Sequence, residues 1–284
     1  MDDSSNAPKF HMDRSQYGDG LLQWFTDAHP NHSNISVTDI DIPVATGFSN
    51  ETVFFGVSSS TDHGPHDGKY VARIEPEDGG MFPIQTPECE VSVALQQRVM
   101  NTVKDNSDVP IPTLGKLITK PYLGLPFFVM AHVDGRIPSD RPRYTEEGFV
   151  VDEATDAQRT QMIQTGLEAM AGIHHIDWEE ANLHWLNPCD GTPTQQKQIE
   201  IYRSYVEKEL AGREHPVMDY ALDWLDQNNP NDERIGLSWG DARLGNIIWD
   251  NYTPAAVVDW EACSLCPTEA DLGWWLMFDR MSFD

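Results

Sequence analysis

The sequence predicts an α+β protein whose first part forms an antiparallel sheet and whose second part is mostly helical. Three extended stretches lie before residue 75, and the first of them, 35–42, alternates polar and apolar residues as in a half-buried strand. From residue 158 onward, apolar residues recur three and four apart, as on one helix face. A chain of 284 residues is long enough for two lobes. We place them at 1–132 and 133–284, because the composition changes after Asp134-Gly135.

The N-terminal lobe should contain a helix, a small sheet and a second helix. Residues 13–29 carry large apolar side chains before a His-Pro break, which predicts an amphipathic helix that covers the lobe. Residues 64–68 are interpreted as a loop, and 86–103 as a helix with apolar residues four apart. The predicted strands are 35–42, 52–58, 69–74, 113–118 and 126–133.

The C-terminal lobe should contain helices followed by one hairpin. Helical periodicity covers 158–177, and 195–227 contains two helices that separate near Gly212. Two short apolar runs, 246–249 and 255–258, flank a turn sequence and predict a hairpin. The final apolar segment, 274–278, reads as the start of a helix with nothing left to pack on it. We therefore expect the C-terminal part of the lobe to be missing from this sequence.

Composition excludes several classes of protein. The formal net charge is −27 and no cluster of Lys and Arg occurs, so the phosphate-neutralising surface of a nucleic-acid binder is missing. An acidic surface suits a cationic small molecule, but also plain solubility or a salt-tolerant host. The polar N-terminus has no signal-peptide core, and no stretch is apolar enough to span a membrane. Four cysteines do not make a disulfide framework in so long a chain, so we expect a cytoplasmic protein.

Two of the cysteines, Cys263 and Cys266, have the spacing of half a zinc site or of a redox pair. No second pair of this kind exists, and the segment leads into Pro267 rather than opening a helix. We interpret both cysteines as small packing residues.

The segment 238–261 contains the candidate catalytic and metal-binding residues. Phosphoryl transfer needs a carboxylate that orients and deprotonates the attacking hydroxyl, together with oxygen ligands for magnesium. Asp241 and Asn246 lie five residues apart, and Asp259 follows the predicted hairpin. Their side chains have the chemistry for these roles, with Asp241 as the base and Asn246 and Asp259 as Mg²⁺ ligands, although each residue alone is also compatible with a turn or a helix cap.

These intervals resemble the catalytic segment of protein kinases and, more closely, of aminoglycoside phosphotransferases, including mycobacterial-type members. That family usually has His-Gly-Asp where this sequence has Trp239-Gly-Asp, which affects loop packing more than catalysis. The resemblance implies a protein-kinase-like two-lobed fold and a catalytic role for Arg243 beside Asp241. It also implies that Asp271 holds the backbone amides of the catalytic loop, and that Glu261 supports the site. His174 is interpreted as a buried, hydrogen-bonded imidazole rather than a metal ligand.

The same resemblance assigns nucleotide contacts to the first lobe. It implies a turn over the phosphates that includes Ser49, and an Arg73 that replaces the usual lysine, with Lys69 as the alternative. Glu90 is the expected partner of Arg73, with Glu88 second. Backbone groups near Met130 and His132 would receive the adenine. No Walker sequence is present, because the stretch 64–70 has the wrong spacing and a tyrosine where Ser or Thr is needed.

The sequence therefore predicts an enzyme that transfers the γ-phosphate of ATP or GTP, with Mg²⁺, to a hydroxyl of a small molecule. The resemblance favours an aminoglycoside-like acceptor and a role in antibiotic resistance. Two alternatives stay open: a pseudoenzyme of the same fold that binds nucleotide without transfer, and a glycoside hydrolase with Asp241 and Asp259 as paired carboxylates.

Overall fold

The computed structural model describes residues 12–43, 50–77, 80–229 and 234–283. The chain folds into two compact units, each assembled from several segments. The first comprises Met1–Met81, Val91–Gln97 and Pro112–Val133, and the second comprises Phe82–Glu90, Arg98–Ile111 and Asp134–Asp284. No helix in the described ranges is both long and apolar enough to cross a membrane.

The first unit is built on a four-stranded antiparallel sheet with the order β1-β2-β3-β4. Its elements are α1 (Arg14–Ala28), β1 (Ser33–Asp41), β2 (Glu51–Thr61), β3 (Gly64–Ile74) and β4 (Phe127–Ala131). The predicted helix and the strands at 35–42, 52–58, 69–74 and 126–133 are thereby confirmed.

Two predictions for this sheet are wrong. Residues 64–68 belong to β3 rather than to a loop, because β2 and β3 pair along their whole length and the chain reverses at 62–63. Residues 113–118 form no continuous strand. Leu114 bridges to Met130 and Ile118 bridges to Phe127, so one side has an extra residue between the bridges. That extra residue interrupts the ladder, as in a bulge.

The core of the first unit lies between α1 and the sheet. Tyr17, Leu21 and Phe25 are spaced four apart on α1 and are all buried. They pack with alternate residues of the strands, such as Val53 and Phe55, which share one sheet face. Each large apolar side chain buried in this way contributes roughly 1.5–3 kcal/mol. The periodicities of 3.6 and 2 in the sequence thus produce one helix-on-sheet layer.

The helix α2 (Ser92–Asn106) begins later than the predicted 86–103. A short 3-10 helix, Pro87–Cys89, occupies the residues before it. Pro87 lies in the first turn of this short helix, where its missing amide hydrogen removes no helical bond. The predicted helix is thus divided into a 3-10 helix and α2.

The second unit combines helices with two small antiparallel sheets. Its elements are α3 (Phe149–Asp152), α4 (Asp156–His174), α5 (Gln195–Leu210), α6 (Pro216–Gln227), β5 (Ile235–Ser238), β6 (Ile247–Asp250), β7 (Thr253–Val257), β8 (Ser264–Pro267) and α7 (Glu269–Phe283). The predicted hairpin is confirmed as β6 and β7. Ala211 and Gly212 both have positive φ and separate α5 from α6 where the sequence predicted a break.

The sequence did not predict the pairing of β5 with β8. Each strand has only four residues, and the two are separated by the whole catalytic segment. Cys266 lies within β8, and both Cys263 and Cys266 are buried free thiols. They fill space in this sheet and beside it, as the packing interpretation expected.

Candidate active site

The loop between β5 and β6 carries three of the predicted site residues. Gly240 has φ of 90°, and a Cβ atom there would overlap the carbonyl group of Ala262. Only glycine allows the backbone to turn at this point without a clash. A 3-10 helix, Leu244–Asn246, then leads into β6. Asp241, Arg243 and Asn246 are thereby gathered within one short turn.

The carboxylate of Asp241 is held by two donors from the same loop and by one from α7. Asn246 Nδ2 donates to Asp241 Oδ2 at 2.6 Å, and Arg243 Nε lies 3.1 Å from each carboxylate oxygen. Trp274 Nε1, from α7, donates to Asp241 Oδ1 at 2.7 Å. Hydrogen bonds to a charged acceptor are the stronger class, so the carboxylate has a fixed orientation.

Arg243 is fixed in turn by two carboxylates. Besides Asp241, its Nη1 donates to Asp140 in a close ion pair, and its guanidinium lies 5.2 Å from the ring centre of Phe278. Burial lowers the pKa of Arg243, but the charges of Asp241 and then Asp140 outweigh it and raise the pKa above its ordinary value. A small recess opens here, lined by Asp140, Tyr144, Arg243, Leu244, Gly245, Trp275, Phe278 and Asp279.

Asn246 and Asp259 have the chemistry of a magnesium site. Asn246 Nδ2 donates to the Asp241 carbonyl at 2.9 Å as well as to its carboxylate. Since both partners are acceptors, the amide nitrogen must face Asp241, and the amide oxygen is the atom that can bind a cation. The Val258 amide donates to the Asn246 carbonyl at 3.0 Å, so the residue before Asp259 runs beside Asn246.

An amide oxygen and a carboxylate are the hard ligands that Mg²⁺ prefers. Magnesium is commonly held by one or two side chains, with water and substrate phosphates completing its shell. In the described ranges, no group of three or more His, Cys, Asp and Glu is placed to bind a metal. A site of two side chains does not require such a group, so the residues present fit the ion.

Asp271 holds the catalytic loop, as the sequence analysis expected. It is 1% exposed and lies in the first turn of α7. Its carboxylate accepts hydrogen bonds of 2.8 Å from the amides of Trp239 and Gly240, from Ser238 Oγ and from His174 Nε2. The interpretation of His174 as a hydrogen-bonded structural residue is confirmed.

Trp239 replaces the family's histidine without disturbing this loop. It is fully buried, its ring lies 6.0 Å from that of Trp260, and its Nε1 donates to the Val258 carbonyl at 3.0 Å. The indole therefore connects the loop that carries Asp241 with the residue before Asp259. A larger ring fills the space, and its N–H satisfies a backbone acceptor.

The first unit places Arg73 in a buried polar network. Arg73 donates to Thr52 Oγ1 at 2.8 Å, directly across the β2–β3 pair, and to Gln96 Oε1 at 3.4 Å. Gln96 Nε2 donates to Asn50 Oδ1 at 2.6 Å. Gln96 and Asn50 are each 1% exposed. These two hydrogen bonds fix the orientation of the guanidinium, and its contact with phosphate stays a prediction.

The remaining predicted nucleotide residues are placed as follows. Ser49 lies outside the described residues. Glu90 is exposed just after the 3-10 helix, and Lys69 is exposed on β3. The pairing of Glu90 with Arg73 stays a prediction.

Some backbone groups of the segment expected to bind adenine already have hydrogen-bond partners in the structure. The His132 amide donates to the Lys69 carbonyl at 3.0 Å, and the Ala131 amide donates to the Thr113 carbonyl at 2.8 Å. Met130 lies opposite Val71 in the β3–β4 pair. Adenine recognition by this segment stays a prediction, and the His132 and Ala131 amides already have acceptors.

Sequence reasoning missed Glu75 and Gln96. Glu75 is 8% exposed and accepts hydrogen bonds from the first amides of α2, Ser92 N at 3.0 Å and Val93 N at 2.8 Å. Burial raises its pKa, and these two hydrogen bonds oppose the shift. Gln96 sits three residues after Val93 on the buried stripe of α2, and a polar residue on such a stripe is the sequence feature that could have revealed it.

Comparisons with known proteins agree with this geometry. Residues 42–284 match the sequence model described as "Phosphotransferase enzyme family". Human acyl-CoA dehydrogenase family member 11 is 26% identical over 159 residues, which is 55% of this chain and 19% of that protein. The chain spans about a fifth of the length of the curated relatives it matches, 19% for this protein and for the mouse family member 10.

Solved structures share the fold. A candidate aminoglycoside phosphotransferase from Ralstonia eutropha superposes with a TM-score of 0.62 at 23% identity, over 91% of this chain and 68% of that one. The aminoglycoside phosphotransferase APH(4)-Ia, in a ternary complex with ADP and hygromycin B, gives 0.57 at 14% identity, over 92% and 80%. The predicted kinase-like α+β fold is confirmed, and with a family match that covers most of its length, this chain belongs to the phosphotransferase enzyme family.

Proposed function

We propose that this phosphotransferase transfers the γ-phosphate of ATP, with Mg²⁺, to a hydroxyl group of a small molecule. The observation that carries the proposal is the 2.6 Å bond between Asn246 Nδ2 and Asp241 Oδ2. The bond orients the carboxylate that we assign as the base, and it points the Asn246 amide oxygen, which we assign to the cation, away from Asp241. Family membership supports phosphoryl transfer, while the choice of ATP and of the acceptor belongs to the proposal.

Each residue of the candidate site has its own role in this proposal. Asp241 accepts the proton of the acceptor hydroxyl as its oxygen attacks the phosphorus. Asn246 and Asp259 would hold Mg²⁺, which would neutralise charge on the phosphates when bound. Arg243, whose charge is secured by two carboxylates, stabilises negative charge near the transferred group. Arg73 binds the phosphates of the nucleotide within the first lobe.

The favoured acceptor is a cationic, aminoglycoside-like molecule. Its support is the net charge of −27 and the carboxylates of Asp140 and Asp279 at the recess beside Arg243. Complementary charge accelerates encounter and favours such ligands over anionic ones. A structural neighbour, APH(4)-Ia, was crystallised with hygromycin B.

A second candidate is an acceptor with an acyl chain, such as a hydroxyacyl thioester. The curated relatives are named as acyl-CoA dehydrogenase family members, and this chain matches one fifth of their length. Apolar side chains of α7 are also exposed on the helix that contacts Asp241, which would suit an apolar acceptor. They are Leu272, Leu276, Met277 and Met281.

The test is a transfer screen with ATP labelled at the γ-phosphate. Two acceptor panels, aminoglycosides and hydroxyacyl-CoA thioesters, are compared, with GTP as the competing donor. Transfer should need Mg²⁺ and should fall by about 10³-fold or more in Asp241→Asn. The control Asp156→Asn changes a fully exposed carboxylate and should keep activity. Nucleotide binding without transfer to either panel would favour the pseudoenzyme.

A further inference from the structure

We propose that the indole of Trp274 occupies the place on Asp241 that an acceptor hydroxyl must take, and that it protects the phosphate donor from water until an acceptor displaces it. Trp274 would then determine which nucleophile is used, acceptor or water. The inference rests on the proposed function, because it concerns the same base. It rests on contacts within the second unit alone.

The hydrogen bonds of Asp241 leave little room for a further donor. A carboxylate offers about four lone-pair positions, two on each oxygen. Asn246 Nδ2 takes one position on Oδ2, and Arg243 Nε is shared between both oxygens. Trp274 Nε1 takes a position on Oδ1 at 2.7 Å. An acceptor hydroxyl that gives its proton to Asp241 must replace one of these three donors.

Trp274 is the donor that can leave. Asn246 is 4% exposed, and its amide nitrogen is also bonded to the Asp241 carbonyl. Arg243 is held from its other end by the ion pair with Asp140. Trp274 is 37% exposed, and its ring contacts the partly buried Phe278 at 5.3 Å. A rotation of this one side chain uncovers Oδ1 while the metal ligand and the arginine stay in place.

The chemistry that the indole suppresses is hydrolysis of ATP. In that reaction the oxygen of water forms a bond to the γ-phosphorus and the bond from phosphorus to the bridging oxygen of ADP breaks. The bonding electrons leave with ADP, and the proton of water goes to Asp241. The indole donates its N–H to Asp241 but is too weak an acid to give up the proton, and it has no oxygen that could attack phosphorus, so it covers the base without reacting. A bound acceptor supplies a hydroxyl and takes its place.

The experiment measures ADP release from Mg²⁺-ATP in the absence of acceptor. Trp274→Phe keeps an aromatic ring but removes the N–H, and we expect hydrolysis to rise by about tenfold. Trp224→Phe is the matched control, because Trp224 is 52% exposed on α6 and does not touch the base. The double variant Trp274→Phe with Asp241→Asn should lose the added hydrolysis.

A second measurement does not depend on turnover. The chain has nine tryptophans, and the indole N–H signal of Trp274 in an NMR spectrum is identified by its loss in Trp274→Phe. In Asp241→Asn that signal should move farther than the Trp224 signal, since its charged acceptor has gone. An unmoved Trp274 signal would overturn the contact. If Trp274→Phe does not fold, the loss of the signal in Trp274→Leu identifies it instead.

Calorimetry of Mg²⁺-ATP binding distinguishes a failure of the Trp274 inference from a failure of the proposed function. If the wild type and the variants bind ATP but Trp274→Phe hydrolyses it no faster, the indole is not a cover, and the proposed function is untouched. A fall in acceptor transfer without any rise in hydrolysis would make Trp274 a permanent donor and would also overturn the inference. If neither the wild type nor any of the variants binds ATP, the proposed function fails, and this inference fails with it.

Discussion

The carboxylate of Asp271 should be the most costly single group to remove from the second unit. It accepts four hydrogen bonds while 1% exposed, and two of its donors are the backbone amides of Trp239 and Gly240. Asp271→Ala would leave all four donors without this acceptor. An unsatisfied buried donor costs about 1–3 kcal/mol, and removing one member of a buried polar cluster typically costs about 3–5 kcal/mol. We expect a loss of about 4 kcal/mol.

Asp271→Asn is a finer test because the side chain keeps its shape. Oδ1 faces Ser238 Oγ and the Gly240 amide, and Oδ2 faces the Trp239 amide and His174 Nε2. Either orientation of the asparagine therefore sets its NH₂ against one backbone amide. One donor loses its acceptor, so a loss of about 1–3 kcal/mol is expected.

The assay is urea and thermal unfolding of the second unit, followed by tryptophan fluorescence. A loss of about 4 kcal/mol corresponds to a fall in Tm of about 10 °C for a unit of this size. The control is Asp156→Ala, which removes a carboxylate in the first turn of α4 that is 99% exposed, and it should change stability by less than about 0.5 kcal/mol. The reasoning is refuted if Asp271→Ala unfolds within about 1 kcal/mol of the wild type.

Three further predictions test other contacts. Trp239→Phe removes the bond to the Val258 carbonyl and leaves a small void, so unfolding measurements should show a loss of about 2–3 kcal/mol. Gln96→Ala removes one support of Arg73, and calorimetry should show ATP binding weakened by about tenfold; unchanged affinity would exclude this role. Burial raises the pKa of the Cys266 thiol to about 11, so only ~0.1% of this thiol is ionised at pH 8. Burial also raises the pKa values of Cys89 and Cys263. A thiol reagent should therefore react quickly only with Cys189 in the native protein and with all four cysteines after unfolding.

The parts of the fold that depend on local periodicity could be predicted from the sequence. Alternation located β1, large apolar side chains before a His-Pro break located α1, and apolar residues three and four apart located α4. The hairpin of β6 and β7 was predicted because its turn residues are strong turn formers. The loop with Asp241, Arg243 and Asn246 was predicted from its resemblance to the phosphotransferases, and both Arg243 and Asn246 contact Asp241.

The features that sequence reasoning missed depend on contacts between distant segments. β5 and β8 are too short for a periodic pattern, and their pairing is determined by the loop between them. Residues 64–68 contain Gly, Pro, His and Asp, which favour a loop, but full-length pairing with β2 overrides that preference. Trp274 reaches Asp241 across 33 positions of chain, and nothing in the local sequence distinguishes it from Trp275.

The central claim is that Asn246 and Asp259 form a metal site that binds the nucleotide. Calorimetric titration of ATP, with and without Mg²⁺, into the wild type and into Asp259→Ala tests it most directly, with the exposed Asp250→Ala as control. We expect binding that requires Mg²⁺ and is weakened by about 10²-fold in Asp259→Ala but kept in Asp250→Ala. Absence of ATP binding by the folded wild type, or binding that neither Mg²⁺ nor Asp259 affects, would contradict the claim.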